Sequence, residues 1–403
     1  MKHKPRIAVL GAGIMGCSLA LFLARKGAHV TLFDAADRPF SGASRWNEGK
    51  IHLGFIYSAD PSLRTADHVV LGGLHFRALV EELLACSIAS TITAADDFML
   101  CHRQSVVSPD AMETYFQRLS QRVRSHPAAH RYLAAISERK TQRLTATELA
   151  ALTDSPDIVA GFQVPERSVE TTWIADRFVE AVAAESSIEP CMNALITAVS
   201  PVENNIDGTW QVETSAGTFA PYDYVINALW QGRLAIDQTA GLAPAGAWSH
   251  RYRQSIFLRT TVPVAAPCVV IATGPFGDIK NYNGQDFYLS WYPDGLRVDS
   301  SEVLPPPVES LVMPDPRQQA ASIFNNLENF LPWVADIREK TERLSIEGGW
   351  VFAAGRGLLS DPSSTLHQRR DFGAVRRGGY ISVDTGKYST APWLARSISD
   401  ALF

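Results

Sequence analysis

Gly11, Gly13 and Gly16, followed by Asp34, are the residues whose types and spacing point most directly to chemistry. Gly11 permits a tight turn, Gly13 lets the backbone approach a pyrophosphate, and Gly16 lets a helix and a strand pack closely. A pyrophosphate held there, beside Ile14 and Met15, sits on a helix N-terminus, where free N–H groups and the helix dipole favour anions. Asp34 follows Gly16 by 18 residues, close to the roughly 20 expected of an acid that binds a ribose hydroxyl. This is a dinucleotide-binding fingerprint. The acid argues against a 2′-phosphate, and the glycines alone do not choose between NAD and FAD. Four further side chains can move protons or hold charge. The His52 imidazole can take a proton from a hydroxyl. Tyr57 can hydrogen-bond a substrate, the Arg356 fork matches a carboxylate, and Lys387 can stabilise a developing anion. The plainer alternatives are a structural histidine, a core tyrosine, a solvated arginine and a turn lysine.

These residues need elements to position them. The apolar run Ile7 to Leu10 suits a buried parallel strand. Cys17 to Lys26 suits a helix that Gly27 can end, and His29 to Phe33 reads as a second strand with Asp34 at its tip. Arg38 to Leu63 is a long polar loop, and such loops in enzymes usually carry function. Arg64 to Ile88 reads as a helix, and Thr91 to Leu100 as the entry to a strand pair. Pro109 to Leu152 reads as helical, with Met112, Phe116, Leu119 and Val123 on one packing face. Glu170, Thr171 and Thr172 can cap a helix through Ala184. Asn193 to Val202 reads as a strand, and Trp210 to Leu229 as alternating strands turning at Ala216-Gly217. Residues 250–345 carry short aromatic-rich strands separated by Gly and Pro, which suits an antiparallel sheet with one face over a pocket. Residues 304–310 and 313–319 read as turns or a lid hinge, and Ser322 to Phe330 as a helix. Tyr380 to Phe403 reads as strand, glycine turn and last helix, with Thr390 as cap and Pro392 in its first turn.

Ser41-Gly42-Ala43-Ser44 and Asn47-x-Gly49-x-Ile51-His52-x-Gly54-x-x-Tyr57 carry a resemblance. With the fingerprint, residues 193–228 and residues 380–403, they make the chain resemble the FAD-dependent oxidoreductases of the D-amino-acid oxidase/glycine oxidase superfamily. The 47–57 segment is similar to the L-2-hydroxyglutarate oxidase branch and to the Lys-Leu-Ile-His-Gly-Gly segment of glycerol-3-phosphate dehydrogenases. The resemblance implies an α/β, Rossmann-like FAD-binding domain built from 1–88, 155–232 and 346–403. It also implies a second, mainly antiparallel α+β substrate domain from 89–154 and 233–345. FAD, held noncovalently, would meet Gly11, Gly13, Ile14, Met15, Gly16, Asp34 and Ala35, then Ala43, Ser44, Arg45 and Lys50. Val199 would lie against the adenine. Ala228 and Trp230 would follow, Trp230 covering the cofactor where the family usually ends Asn-Ala-x-Gly. Gly386, Lys387, Tyr388, Ser389 and Thr390 would lie at the flavin edge. Arg356, in a segment that loosely resembles the family's Gly-Leu-Arg-Pro turn, is implied as the carboxylate clamp. Arg45, Arg251, Arg253 and Arg259 are its alternatives, and Asp361, His367, Arg369 and Arg370 could line an entrance.

The implied activity is transfer of a hydride from a C–H bond beside a hydroxyl or amine to flavin N5, with His52 as base and a hydroxyl slightly preferred. The substrate would be a small polar metabolite able to bear a carboxylate. An amino-acid or amine oxidase proper, a flavin monooxygenase, and an FAD-binding scaffold protein without turnover are the alternatives. Composition sets wider bounds. The 403 residues, 46% hydrophobic and 20% charged, suit about two to three globular domains. A net charge of −5 implies no basic face for nucleic acid. Five scattered cysteines without a CxxC suggest neither disulfides nor a metal site. Met1 to Pro5 runs straight into the first strand, and no apolar run reaches the roughly 18 residues of a membrane span. A cytoplasmic protein of open oligomeric state is expected.

Overall fold

The structure, a computed structural model, describes residues 4–403. Its first sheet runs in the order Gly373–Arg377, Tyr380–Asp384, Tyr224–Asn227, Arg6–Leu10, His29–Phe33, Ile188–Cys191. Five strands are parallel and the Gly373–Arg377 edge is antiparallel. Arg6–Leu10 lies centrally and is buried from Ile7 onward, as an apolar run covered on both faces requires. The helices Ile14–Arg25 and Ala391–Leu402 pack against each other. Gly16 makes the turn into the first of them possible, because a Cβ there would fall 1.7 Å from the Gly11 carbonyl oxygen. Gly11 itself has φ +95° and no room for a Cβ beside the Ala228 carbonyl, 2.7 Å away.

A three-stranded antiparallel sheet, Ile196–Pro201, Trp210–Thr214 and Gly217–Tyr222, closes over Phe33 and Trp210. The third large element is a nine-stranded sheet, in which Trp248–Thr260 is flanked by Thr341–Ala354, Leu296–Ser300 and Asp286–Trp291. It continues through Gly277–Asn281, Val269–Ala272, Asp97–His102, Ile158–Val164 and Gln142–Arg143. All pairs are antiparallel except Val269–Ala272 with Asp97–His102.

Side chains alternate across this sheet, as a strand demands. Leu100, Ile256, Leu258, Val269, Ile271, Ile279 and Leu289 form one face, covered by the helices Pro316–Glu328 and Val334–Glu339. Their neighbours Asp97, Arg253, Ser255, Asp278, Lys280 and Tyr288 alternate with them and take the other face. A charged sheet face normally meets water. Here it is turned inward onto residues 44–57.

Several expectations change. The helix begun at Pro109 ends at Arg124, where Ser125-His126-Pro127 interrupts it, and helix returns only at Ala146–Leu152 under a Thr145–Glu148 capping box. The helix from Arg64 ends at Leu84, with Ala85 left-handed. Residues 316–319 are not a hinge. Asp315 accepts from the Arg317 and Gln318 amides and starts the helix that runs to Glu328. Strand pairing puts Ile158–Val164 and Thr341–Ala354 in the large sheet, the first inside the segment 155–232 and the second running into the segment 346–403 that the sequence groups with the nucleotide-binding sheet. The segment leading to Arg356 is therefore strand up to Ala354. Among the described residues, no helix is long and apolar enough to cross a membrane.

Gly16→Ala should disrupt the first turn, because the clash is with backbone and overpacking typically costs about 1–3 kcal/mol or more. Gly42→Ala meets nothing within 4 Å and serves as the control. Urea unfolding and flavin content after purification check this. A Gly16→Ala protein as stable and as yellow as the control would contradict it.

Candidate active site

The turn after Arg6–Leu10 leads directly into the helix at Ile14. Ser44 comes across from the polar loop, and its Oγ accepts from the Ile14 amide at 2.9 Å. A Cβ on Gly13 would lie 2.7 Å from that oxygen, so the loop lies tight against the helix end. Asp34 accepts from the Ala12 amide at 2.6 Å and the Ala36 amide at 2.9 Å. Burial raises its carboxyl above the usual range, opposed by the amides of Ala36, Ala12 and Ala35. Gly11, Gly13, Ile14, Met15, Gly16, Asp34, Ala35, Ala43 and Ser44 thus stand together at one end of the sheet. Gly386, Lys387, Tyr388, Ser389 and Thr390 form the turn into the last helix. The Tyr388 hydroxyl and Ser389 Oγ are buried there without a partner. A dinucleotide fits this set: a glycine turn facing a helix N-terminus, an acid for a ribose, and unpaired hydroxyls at a second helix N-terminus.

Four expected cofactor contacts are placed differently. The Val199 amide is already bonded to Thr239 Oγ1 at 2.9 Å, and its side chain is core. Leu195, 57% exposed, follows Ala194, whose amide bonds the Asp34 carbonyl at 2.8 Å. Trp230 is held at φ +58° by its indole N–H, which donates to the Trp350 carbonyl at 2.6 Å. It ties the end of the Tyr224–Asn227 strand, past Ala228, to the large sheet. Arg45 pairs with Asp176 at 2.8 Å. Lys50 is fully buried, with Nζ 2.5 Å from Asp97 and 3.5 Å from Glu166, so its charge is spent inside the protein.

Arg356 is exposed, and its Nε donates to the Trp248 carbonyl at 3.1 Å. It is not a clamp in the site, because it follows the strand that ends at Ala354 and its side chain stays outside, on the Trp248 carbonyl. Arg259 pairs with Asp286 and Arg370 with Asp60. The His367 ring bonds the Asp361 carbonyl at 2.9 Å in a local turn. Arg251, Arg253 and Arg369 are turned inward instead.

His52 is held from all sides. The short strand Lys50–Ile51 pairs with Arg167–Ser168, and the Ile51 carbonyl accepts from the Tyr132 hydroxyl at 2.7 Å. The amides of Leu53, Gly54 and Phe55 all donate to Glu166 Oε1, at 2.6, 3.0 and 3.3 Å, and Gly54's carbonyl accepts from Tyr115 at 2.9 Å. The His52 ring is buried, its Nδ1 has no partner, and its Nε2 lies 4.0 Å from Glu48. Tyr57 is 6.2 Å from it, centroid to centroid, and the Tyr57 hydroxyl is also buried and unpartnered. Lys387 Nζ stands 5.6 Å from the Tyr57 ring centre.

Electrostatics follow from this packing. Burial, then Lys387, Lys50, Lys280 and Arg369, push His52 well below its ordinary value, so the imidazole is neutral. Burial and then Glu48 push Asp278 up to about 6. Burial would raise Glu48, but Lys387, Arg253 and Lys50 hold it low. Beneath lies a closed ion network: Asp97 Oδ2 is 2.5 Å from Lys50 and 2.8 Å from Lys280, with Glu166 beyond. Burial alone would raise the Asp97 carboxyl, but Lys280 and Lys50 outweigh it and hold it low. Glu48, Asp97, Glu166, Asp278, Lys280 and Tyr288 were not singled out in the sequence. The only signal for them was the alternation of charged with apolar residues in Gly277–Asn281 and its neighbours. Among the described residues, no group of His, Cys, Asp and Glu can hold a metal ion.

The profile of the FAD-dependent oxidoreductase family named DAO matches residues 6–351. No curated protein matches the sequence. Among solved structures the chain is similar to glycine oxidase from Geobacillus kaustophilus at 15% identity and TM-score 0.69, covering 98% of this chain and 94% of that one. It is similar to iminodiacetate oxidase from Chelativorans sp. BNC1 at 17% identity and TM-score 0.68, over 98% and 95%. L-α-glycerophosphate oxidase from Mycoplasma pneumoniae, solved with FAD bound, matches at 15% identity and TM-score 0.58, over 98% and 93%.

Asp97→Asn leaves two buried ammonium groups facing one remaining carboxylate. It should cost about 3–5 kcal/mol in urea unfolding, the usual penalty for breaking a buried pair. The folded Asp97 carboxyl is held below its unfolded value of about 3.9. Its contribution is therefore present above that pH and lost as pH falls through the folded value, and the variant should be less sensitive to acid over that window. Asp336→Asn, in an exposed pair with Lys340, should leave the midpoint essentially unchanged. Equal effects of the two substitutions would contradict the network's role.

Proposed function

The chain belongs to the FAD-dependent oxidoreductase family, and on that premise we propose that it oxidises the C–H bond beside a hydroxyl or amine in a small anionic metabolite. FAD, when bound, supplies the ring that accepts the hydride. The glycine turn 11–16, Asp34, the loop 43–44 and the turn 386–390 would hold it noncovalently, with Leu195 as an apolar platform in place of Val199. We propose the large sheet as the substrate-side unit and the six-stranded sheet as the cofactor-side unit. Thr341–Ala354 and Ile158–Val164 go with the former.

The observation that carries the reading is His52, buried and neutral, with an unpartnered Nδ1 and with Lys387, Lys50, Lys280 and Arg369 acting on it. A neutral imidazole can take the proton of a substrate hydroxyl as the C–H bond breaks. Tyr57 donates to the same polar end of the substrate, and Lys387 binds its carboxylate. The cations that, after burial, keep His52 uncharged also lower the pKa of whatever hydroxyl or ammonium binds beside it. That favours loss of the substrate's proton at neutral pH and partly compensates for a weak base. The same field would hold a bound amine uncharged, so amine oxidation is the second reading. Burying substrate between the sheet and the helix N-terminus excludes water and strengthens each of these interactions.

Anaerobic addition of pooled 2-hydroxy acids, and separately of amino acids, to the yellow holoprotein should bleach the flavin band with one pool. Uncharged alcohols and amines should not bleach it. His52→Gln should keep stoichiometric FAD yet lower the bleaching rate by about 10²–10⁴. Because His52 is held well below 6.5, the wild-type rate should not fall through that pH as acid is added. Flavin that no anionic pool reduces would contradict the proposal.

A further inference from the structure

We propose that Arg251 and Arg253 form a second anion subsite, so that the substrate is a dianion: one carboxylate at Lys387 and a second oxyanion group at the two arginines. This rests on the proposed function. Arg251 and Arg253 are two residues apart on Trp248–Thr260, and that spacing puts both on one face of a strand. The terminal nitrogen of Arg251 donates to the Tyr292 hydroxyl at 2.9 Å. Arg253 lies over the Tyr292 ring, 4.5 Å from its centre, and donates to Ser290 Oγ at 2.8 Å. Tyr292 therefore pins both forks. Every partner is neutral, and the Nε of each arginine is buried without an acceptor.

Among the described residues, no carboxylate comes within 4.0 Å of Arg251, Arg253 or Arg369 in an ion pair, although Arg45, Arg233, Arg259 and Arg370 each have one. Arg251 is 4% and Arg369 8% exposed, and burial followed by the Arg251 charge pulls Arg369 below its ordinary value. A buried charge needs a partner, and a guanidinium without one is unfavourable. The Lys50, Lys280, Asp97 and Glu166 charges cancel among themselves. What remains facing the site is Lys387, Arg251, Arg253 and Arg369 against Glu48 and Asp278, with Asp384, shared with Arg233, beside Arg369. The cations are in excess, and they stand at two places, Lys387 and the arginine pair, which suits a ligand with an anionic group at each. Arginine forks fixed in advance suit a planar carboxylate or a phosphate-type group, and rigid donors lose little freedom on binding.

The test titrates holoenzyme with succinate, glutarate, 3-phosphonopropionate and butyrate at constant ionic strength, following the flavin visible band. A dianion should perturb it at a concentration about tenfold or more below butyrate, the scale of one buried charged hydrogen bond. Preference for the dicarboxylates or for the phosphonate identifies the second group as carboxylate or phosphate. In Arg251→Gln and, independently, Arg253→Gln, each checked for bound FAD, the ratio of dianion to butyrate affinity should fall toward one. Butyrate binding without a dianion advantage overturns the subsite and leaves the proposed function standing. An advantage that survives both substitutions also overturns it. If no anion perturbs the flavin, the anionic-substrate reading falls along with the subsite.

Discussion

Buried positive charge is the constraint on which this structure depends. The large sheet turns a charged face inward, and six cationic side chains lie there or beside it. Lys50, Lys280, Arg251 and Arg369 are buried from water and Arg253 and Lys387 are half-buried, so the protein must stabilise most of this charge itself. Asp97 and Glu166 neutralise Lys50 and Lys280 completely enough that the four form part of the core. Arg251, Arg253, Arg369 and Lys387 are left with fewer carboxylates than they need. The first group is structural because it is closed. The second is chemical because it is open.

The closed network also holds the residue that the open one acts on. Glu166 uses one carboxylate oxygen to gather three successive amides after His52, and the other faces Lys50. Asp97 joins Lys50 to Lys280 on the sheet. The His52 segment is therefore tied to the substrate-side sheet by charge, while Ser44 ties the same polar loop to the nucleotide-binding helix. One loop thus spans both units, and the backbone that carries His52 is anchored on Glu166, which also faces Lys50. Such rigidity is what makes a fixed electrostatic environment effective in catalysis.

The nucleotide-binding half was legible because its chemistry is local. Strand, glycine turn, helix, strand and Asp34 follow one another within 34 residues, and each glycine has a steric reason that sequence spacing carries. His52 and Tyr57 lie five residues apart in one local segment, and the structure brings them together with Lys387 from the far end of the chain. The large sheet was less legible. Its longest strand pair joins residues 81 to 106 positions apart, and no local pattern states that Thr341–Ala354 lies along Trp248–Thr260. That is why Arg356 was expected inside and stands outside, whereas Arg251 and Arg253 face inward. Lys50 was read as a cofactor contact because its partners, Asp97 and Glu166, are distant in sequence. The long helical reading of 109–152 failed at Pro127, a breaker whose weight was missed.

The most direct measurement is the protonation state of His52, by ring-nitrogen NMR of the FAD-bound protein with labelled histidine, the signal assigned by its loss in His52→Gln. A neutral single tautomer from about pH 5.5 to 8 is the predicted result, since the ordinary imidazole value is about 6.5. Titration should move toward that ordinary value only when a small anion is bound. A His52 that titrates near 6.5 without any ligand would mean that the buried cations do not set the potential of the site, and would contradict the account.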